Sequence, residues 1–201
     1  MSDIQIFNCV QGESSWFDCR KGVATASKFK DVLAKGQGLT RAKYMRVLAG
    51  EIITGTPHDS YSNAAMERGK EQEPEARRLY EMLHDVECVQ VGFIRRGDIG
   101  CSPDGLIGED GGFEVKSKAA DIQIEILEAD AMPSEHVAQV QGSILVTQRQ
   151  WWDFMCYCPG LPPFIKRVYP DPDYQARLIV ELRQFNTELQ SLVARIRGMM
   201  Q

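Results

Sequence analysis

The sequence predicts an α/β fold, with a central mixed sheet flanked by helices and an amphipathic helix at the C-terminus. Three observations predict it. Apolar residues recur at helical spacing between positions 24 and 84, the period changes to two between 89 and 117, and steps of four and three return from 173 onward. Helices, then strands, then helices again fit a sheet covered by helical layers.

The elements follow in order. Residues 1–20 read as irregular, with Trp16 as a buried anchor. Ala24-Thr25-Ala26-Ser27-Lys28-Phe29 opens a short helix that Thr25 or Ser27 caps and Gly36-Gln37-Gly38 stops. Thr40 caps a second helix to Thr54, with Met45, Leu48 and Ile52 on one face. A third spans 61–84 and carries Ala65, Gly69, Leu79 and Met82, with Pro74 expected to kink it or mark a new first turn. Val89, Val91 and Phe93 alternate with Gln90 and Gly92 as one strand; Ile99 to Leu106 and Gly112 to Ser117 are two more, joined across the glycine-rich turn 108–112. Residues 119–129 and 134–147 read as helices, the second with Val137, Val140, Ile144 and Leu145. Strands at 150–157 and 164–169 are split by Pro159-Gly160-Leu161-Pro162-Pro163. Leu178, Leu182, Phe185, Leu189, Leu192 and Ile196 form the stripe of the last helix, expected to pack on its own domain. The expected organisation is one domain of 201 residues: a mainly helical N-terminal stretch over 1–84, a middle over 85–170 with the sheet, and the helix of 171–201.

Composition bounds the function. With 43% hydrophobic and 25% charged residues the chain is an ordinary globular protein. No stretch approaches the roughly 18 apolar residues of a membrane helix, and Met1-Ser2-Asp3-Ile4-Gln5 lacks signal-peptide character. The six cysteines are therefore expected as reduced thiols in a cytoplasm. Cys156-Tyr157-Cys158 has no partner pair at zinc spacing and reads as two strand cysteines. A phosphate-binding Gly-Lys-Ser/Thr loop and a G-x-S-x-G elbow are both missing. The net charge of −5 is opposite to that of most nucleic-acid binders. An acidic chain binds DNA only if its basic residues gather on one face and its acids hold metal.

One segment carries chemistry: Cys101-Ser102-Pro103-Asp104, then Phe113-Glu114-Val115-Lys116. On a strand over 112–117, Glu114 and Lys116 point to one face while Phe113 and Val115 point to the core. The turn at 108–112 brings Asp104 beside Glu114. Two carboxylates there, with the backbone carbonyl of Val115, suit a hard cation such as Mg2+ or Mn2+, and Lys116 is placed to orient or deprotonate an attacking water. The same triplet also arises by chance in a chain this charged, and Glu114 and Lys116 would then be only a solvated pair on a strand.

These residues resemble the PD-(D/E)xK nucleases, and within them the phage lambda exonuclease or YqaJ-type viral recombinase family. Four segments in the family's order, covering roughly 16 to 158, carry the resemblance: Trp16-Phe17-Asp18-Cys19-Arg20-Lys21-Gly22-Val23-Ala24-Thr25-Ala26-Ser27, Gly69-Lys70-Glu71-Gln72-Glu73-Pro74-Glu75-Ala76, the Asp104/Glu114/Lys116 set, and Ala138-Gln139-Val140-Gln141.

The resemblance implies a restriction-endonuclease-like core and a Mg2+-dependent exonuclease working 5′ to 3′ on duplex DNA ends. It would release mononucleotides and leave a 3′ single strand. By the same resemblance, Glu73, Asp104, Glu114, Lys116 and Gln139 form the catalytic set, Arg20, Thr25 and Ser27 bind the 5′-phosphate, and Met66 helps separate the strands. A Ser27 that merely caps its helix and a Met66 in the core are the plainer alternatives. His136, three residues before Gln139, either touches DNA or is structural, and Lys35 to Thr40 cannot be aligned. A ring-shaped trimer, a single-strand annealing protein as partner and the host cytoplasm as location are implied too. An endonuclease or repair nuclease of the same superfamily, or an inactive DNA-end-binding module, would share much of this pattern.

Overall fold

The computed structural model describes residues 3–34, 39–58 and 64–200, the side chains of 64–66 excepted. It is a mixed α/β structure with two mixed sheets rather than one, flanked by helices. The N-terminal residues expected as irregular form strand β1 (Ile4–Phe7) and helix α1 (Ser14–Arg20). Then come β2 (Ala24–Thr25), a 3-10 turn (Ala26–Lys28) and α2 (Phe29–Leu33). Two long helices follow, α3 (Leu39–Thr54) and α4 (Ala64–His84). Five strands come next: β3 (Cys88–Val89), β4 (Phe93–Arg96), β5 (Ile99–Cys101), β6 (Gly105–Ile107) and β7 (Gly111–Ser117). The chain continues through α5 (Ala120–Ala129), a 3-10 turn (Ser134–His136), α6 (Val137–Thr147), β8 (Trp151–Tyr157), β9 (Phe164–Val168) and α7 (Pro172–Gly198).

The first sheet has the order β1-β4-β5-β2 and the second β3-β6-β7-β8-β9. This division corrects two expected strands. The run 89–93 splits because Val89 pairs with β6 in one sheet while Phe93 pairs with β1 in the other. The run 99–106 splits because β5 pairs with β4 and β6 with β7. The chain thus changes sheet at 90–92 and again at 102–104. Gly92 is required at the first crossing, since a Cβ there would lie 2.2 Å from the Cys9 carbonyl oxygen. Asp104 sits at the second.

Two apolar clusters bury the faces of the second sheet. One gathers Phe29, Leu48, Ile144, Trp152, Phe154, Leu178 and Phe185, uniting α2, α3, α6 and α7 with β8. The other sets Ala76 and Tyr80 of α4, one turn apart, on Phe113, Val115, Met155 and Tyr157. Burying each large side chain contributes roughly 1.5–3 kcal/mol. Because β7 and β8 pair in parallel at the centre of the sheet, β8 is buried on both faces and shows no alternation. Of its paired tryptophans Trp152 is fully buried, while Trp151 is partly exposed under the Arg167 guanidinium.

The helices correct some of the expected faces. α4 runs unbroken through Pro74, and among its described side chains the buried ones are Ala76 and Tyr80, whereas Met82 is exposed. α7 buries Leu178, Leu182, Phe185, Leu189 and Val193, so the stripe ends on Val193 in place of Leu192. It packs on α3, where Phe185 stacks on Tyr44 and Glu188 pairs with Arg41. All six cysteines are free thiols, and among the described residues no helix is long and apolar enough to cross a membrane.

Candidate active site

Strand β7 builds the site by simple alternation. Phe113 and Val115 enter the α4 cluster, and Glu114 and Lys116 take the opposite face. The β6–β7 hairpin returns the chain at Gly108, and the Arg149 guanidinium ties it down by donating to the carbonyls of Ile107, Gly108 and Gly111. Gly111 and Gly112 are not loop residues. They lie in β7, where a Cβ would meet the Trp151 and Trp152 rings at 2.2 Å.

This hairpin brings Asp104 alongside β7. Its backbone N–H donates to the Phe113 carbonyl, and its Oδ2 accepts from the Val115 N–H at 2.7 Å. Glu114 is 2% exposed, which removes the solvated-pair reading. Its Oε1 accepts from Lys116 Nζ at 2.6 Å and from Gln139 Nε2 of α6 at 2.5 Å. Four of the five residues expected in the catalytic set therefore converge within hydrogen-bonding reach of one hairpin end. Glu73 of α4 joins through Arg77, whose Nη1 donates to Glu73 Oε1 at 3.2 Å and to the Asp104 carbonyl at 3.1 Å.

The electrostatics are those of a crowded acidic pocket. Burial, followed by the charges of Glu114 and Glu73, pushes Asp104 well above the ordinary carboxylate range. Burial also raises Glu73, opposed by Arg77 and reinforced by Glu114. Burial pulls the Lys116 ammonium down, but Glu114 and Asp104 more than offset this and leave it above the usual lysine value. Three carboxylates face two cations, and Glu114 Oε2 is buried with no hydrogen-bond partner. An orphaned buried carboxylate oxygen is costly unless something cationic fills its place. The donor set is all hard oxygen, which suits Mg2+ or Mn2+. Among the described residues no three His, Cys, Asp or Glu side chains converge at metal-binding distance. Asp104 and Glu114 are the two carboxylates here that could hold such an ion.

A second group lies where α1 meets β2. Arg20 ends α1, its guanidinium 3.7 Å from the centre of the Trp16 ring. Trp16 is held in turn by donating to the Gly92 carbonyl and the Ser102 hydroxyl. Among the described residues the Arg20 guanidinium has no hydrogen-bonded or ion-paired partner, and burial lowers its proton affinity. The Thr25 N–H donates to the Tyr44 hydroxyl, and the Thr25 and Ser27 hydroxyls lie 3.4 Å apart. Capping is not their role: neither side chain caps the turn or the five-residue α2 that follows. Met66 lies in α4 with its side chain outside the described residues, as are residues 35–38.

Several side chains escaped the sequence reading. Arg77 was legible as an i,i+4 partner of Glu73. Gln11, which donates to the Val91 and Pro103 carbonyls and so fixes the crossing before Asp104, left no local signal. Gln141 points away from the site and pins the β9–α7 connection through the Tyr169 carbonyl and the Asp171 N–H. His136 packs on Phe154 and lies 3.0 Å from Lys118 Nζ. Burial and then the neighbouring Lys118 and Lys116 lower its pKa to about 4.

This shift has a testable sign. The folded protein keeps His136 neutral where the unfolded chain takes up a proton, so its contribution is present above about pH 6.5 and is lost as pH falls toward 4. Urea unfolding of wild type and His136→Phe between pH 7 and 4 should differ in slope, by up to about 3 kcal/mol across that window. Parallel pH profiles would contradict the buried neutral imidazole.

Residues 15–150 match the YqaJ-like viral recombinase domain. The chain is 33% identical to an alkaline exonuclease from Laribacter hongkongensis, over 94% of this chain and 98% of that one, with a TM-score of 0.86. A second structure of that exonuclease, in complex with dAMP, superposes with a TM-score of 0.87 at the same identity and coverage. A phage-related exonuclease from Haemophilus somnus shares the fold at 13% identity, with a TM-score of 0.61 over 89% of this chain and 96% of that one. No curated protein sequence matches.

Proposed function

Because this chain belongs to the YqaJ-like viral recombinase family, a family of DNA nucleases, we propose that it is a 5′-to-3′ exonuclease of duplex DNA. It digests one strand from a 5′-phosphorylated end, releases mononucleotides and leaves a 3′ single strand. The observation that carries this reading is the buried Glu114, one oxygen bound by Lys116 and Gln139 and the other without a partner, beside Asp104.

In this reading Asp104, Glu114 and the Val115 carbonyl hold a divalent cation, Mg2+ with Mn2+ as a substitute. When bound, such a cation supplies positive charge to the phosphate oxygens and acidity to water. The rest falls to the chain's own groups. Lys116 Nζ and Gln139 Nε2, fixed on one Glu114 oxygen, orient the attacking water, the Lys116 ammonium by donating a hydrogen bond to it. Arg77 holds Glu73 and the Asp104 backbone in register. Arg20, stacked on Trp16 and without a direct ion pair among the described residues, takes the terminal 5′-phosphate with the Thr25 and Ser27 hydroxyls. The mononucleotide in the dAMP complex of the 33% identical exonuclease is of the product class this reaction releases. A single nuclease domain assembled as a ring-shaped trimer, handing its 3′ strand to an annealing protein, completes the proposal.

Three DNAs test it in Mg2+: a linear duplex with 5′-phosphate, one with 5′-hydroxyl, and a closed circle. Mononucleotides from the phosphorylated duplex and slow release from the hydroxyl end support the reading. Nicking of the circle would replace it with an endonuclease. Absence of hydrolysis in both Mg2+ and Mn2+ would leave a DNA-end-binding protein.

A further inference from the structure

We infer that Lys118, seated on His136, forms a second phosphate subsite for the digested strand, next to the hydrolytic centre. This deepens the exonuclease reading and rests on it. The geometry consists of two rungs. The stripe of β7 that carries Glu114 and Lys116 continues to Lys118, because the Lys118 N–H still donates to the Tyr157 carbonyl of β8 and so extends the pairing. Each step of two residues is about 6.8 Å, so Lys118 stands one such step beyond Lys116, comparable to the separation of neighbouring phosphates along one DNA strand, and two steps beyond Glu114. Opposite this stripe, the segment Ser134–Thr147 places Gln139 against Glu114 and, three residues earlier, His136 against Lys118. The first rung is the proposed hydrolytic centre, and the second is cationic.

Lys118 Nζ lies 3.0 Å from His136 Nε2. An ammonium only donates, so the imidazole nitrogen accepts, and the ring is neutral. A neutral acceptor orients the ammonium without cancelling its charge. Packing of the ring on Phe154, 5.1 Å between centroids, fixes the acceptor in place. The nearest carboxylate, Glu135, stands 3.8 Å from Lys118 with its side chain 47% exposed, beyond hydrogen-bond length. The charge of Lys30 also acts on both His136 and Glu135. Two lysines against one loose glutamate leave a local positive surplus on a chain of net charge −5. A largely buried ammonium whose one hydrogen-bond partner is neutral and whose carboxylate stands off at 3.8 Å is incompletely compensated. A DNA phosphate arriving at the neighbouring centre would complete it.

The test reads the salt dependence of DNA binding. A 5′-phosphorylated duplex is titrated with protein in an Asp104→Asn background, so that the DNA is not consumed, between about 50 and 200 mM salt. Removing one phosphate contact lowers the slope of log affinity against log salt by about 0.9. Lys118→Gln should therefore lose about threefold less affinity over that range than its parent, while Lys118→Arg keeps the parent slope. An unchanged slope in Lys118→Gln, or a slope lost in Lys118→Arg, overturns the subsite. If Lys118→Gln fails to fold, as thermal melting would show, Lys118→Met, which keeps the aliphatic stem without the charge, is read against the same slopes. Wild type that neither binds nor hydrolyses DNA would instead overturn the exonuclease reading on which the subsite rests.

Discussion

Lys116→Ala should lose about 10³-fold in the hydrolysis of 5′-phosphorylated duplex, within the range for removal of a positioned proton-transfer group. Its affinity for the DNA end should change little. The ammonium is held by Glu114 at 2.6 Å and raised in proton affinity by Glu114 and Asp104. In the proposed reading this charged group stands beside the water aimed at the scissile phosphate. Removing it also takes a cation from a pocket of three carboxylates, so the divalent ion should bind the variant at least as tightly. Lys116→Arg separates two roles. A guanidinium keeps the charge but does not exchange its proton near neutrality, so recovery in the arginine variant would assign Lys116 to electrostatics, and no recovery would assign it to proton transfer. Near wild-type rates in Lys116→Ala would remove Lys116 from the site altogether.

Asp104→Asn should abolish metal-dependent hydrolysis to a similar depth, since one of two carboxylates is lost and a bound cation's contribution is several kcal/mol. Its effect on stability should run the other way. The carbonyl of the introduced asparagine still accepts the Val115 N–H bond, so the hairpin survives, while a buried like charge beside Glu114 and Glu73 disappears. In wild type the folded protein holds a proton at Asp104 that the unfolded chain releases. That stability is present at low pH and is lost as pH rises from the ordinary aspartate value through the raised one. In EDTA the variant should melt at or above the wild-type temperature near neutral pH, with a flatter pH dependence. Mg2+ should raise the wild-type midpoint and barely move the variant. A variant that is less stable in EDTA and still stabilised by Mg2+ would mean that Asp104 is a structural residue and not a ligand.

How much of this was legible depended on range. The acid-x-lysine triplet could be read because strand alternation is a property of six consecutive residues, and Phe113 and Val115 already named the core face. Arg77 could have been read, since it lies one turn from Glu73. Lys118 continued the same alternation but stood past the end expected for its strand. Gln11 could not be read, because its partners Val91 and Pro103 lie in two crossings that no local period announces. β1 was passed over for a different reason: Ile4-Gln5-Ile6 alternates, but the strand is only four residues long and mostly exposed at a sheet edge.

By itself the sequence determined the kinds of most elements after residue 24, the faces of β7 and most of that of α7, and the order of the four segments that mark the family. All of these are written in the spacing of neighbouring residues. Only the tertiary structure decided that two sheets replace one, that Thr25 and Ser27 cap nothing, and that Glu114 is buried with an oxygen left unpartnered. Those facts depend on which distant segment lies against each stretch. α6 closes over Glu114 from 25 residues away in sequence, and burial, which sets the electrostatics of the site, exists only once that contact is made.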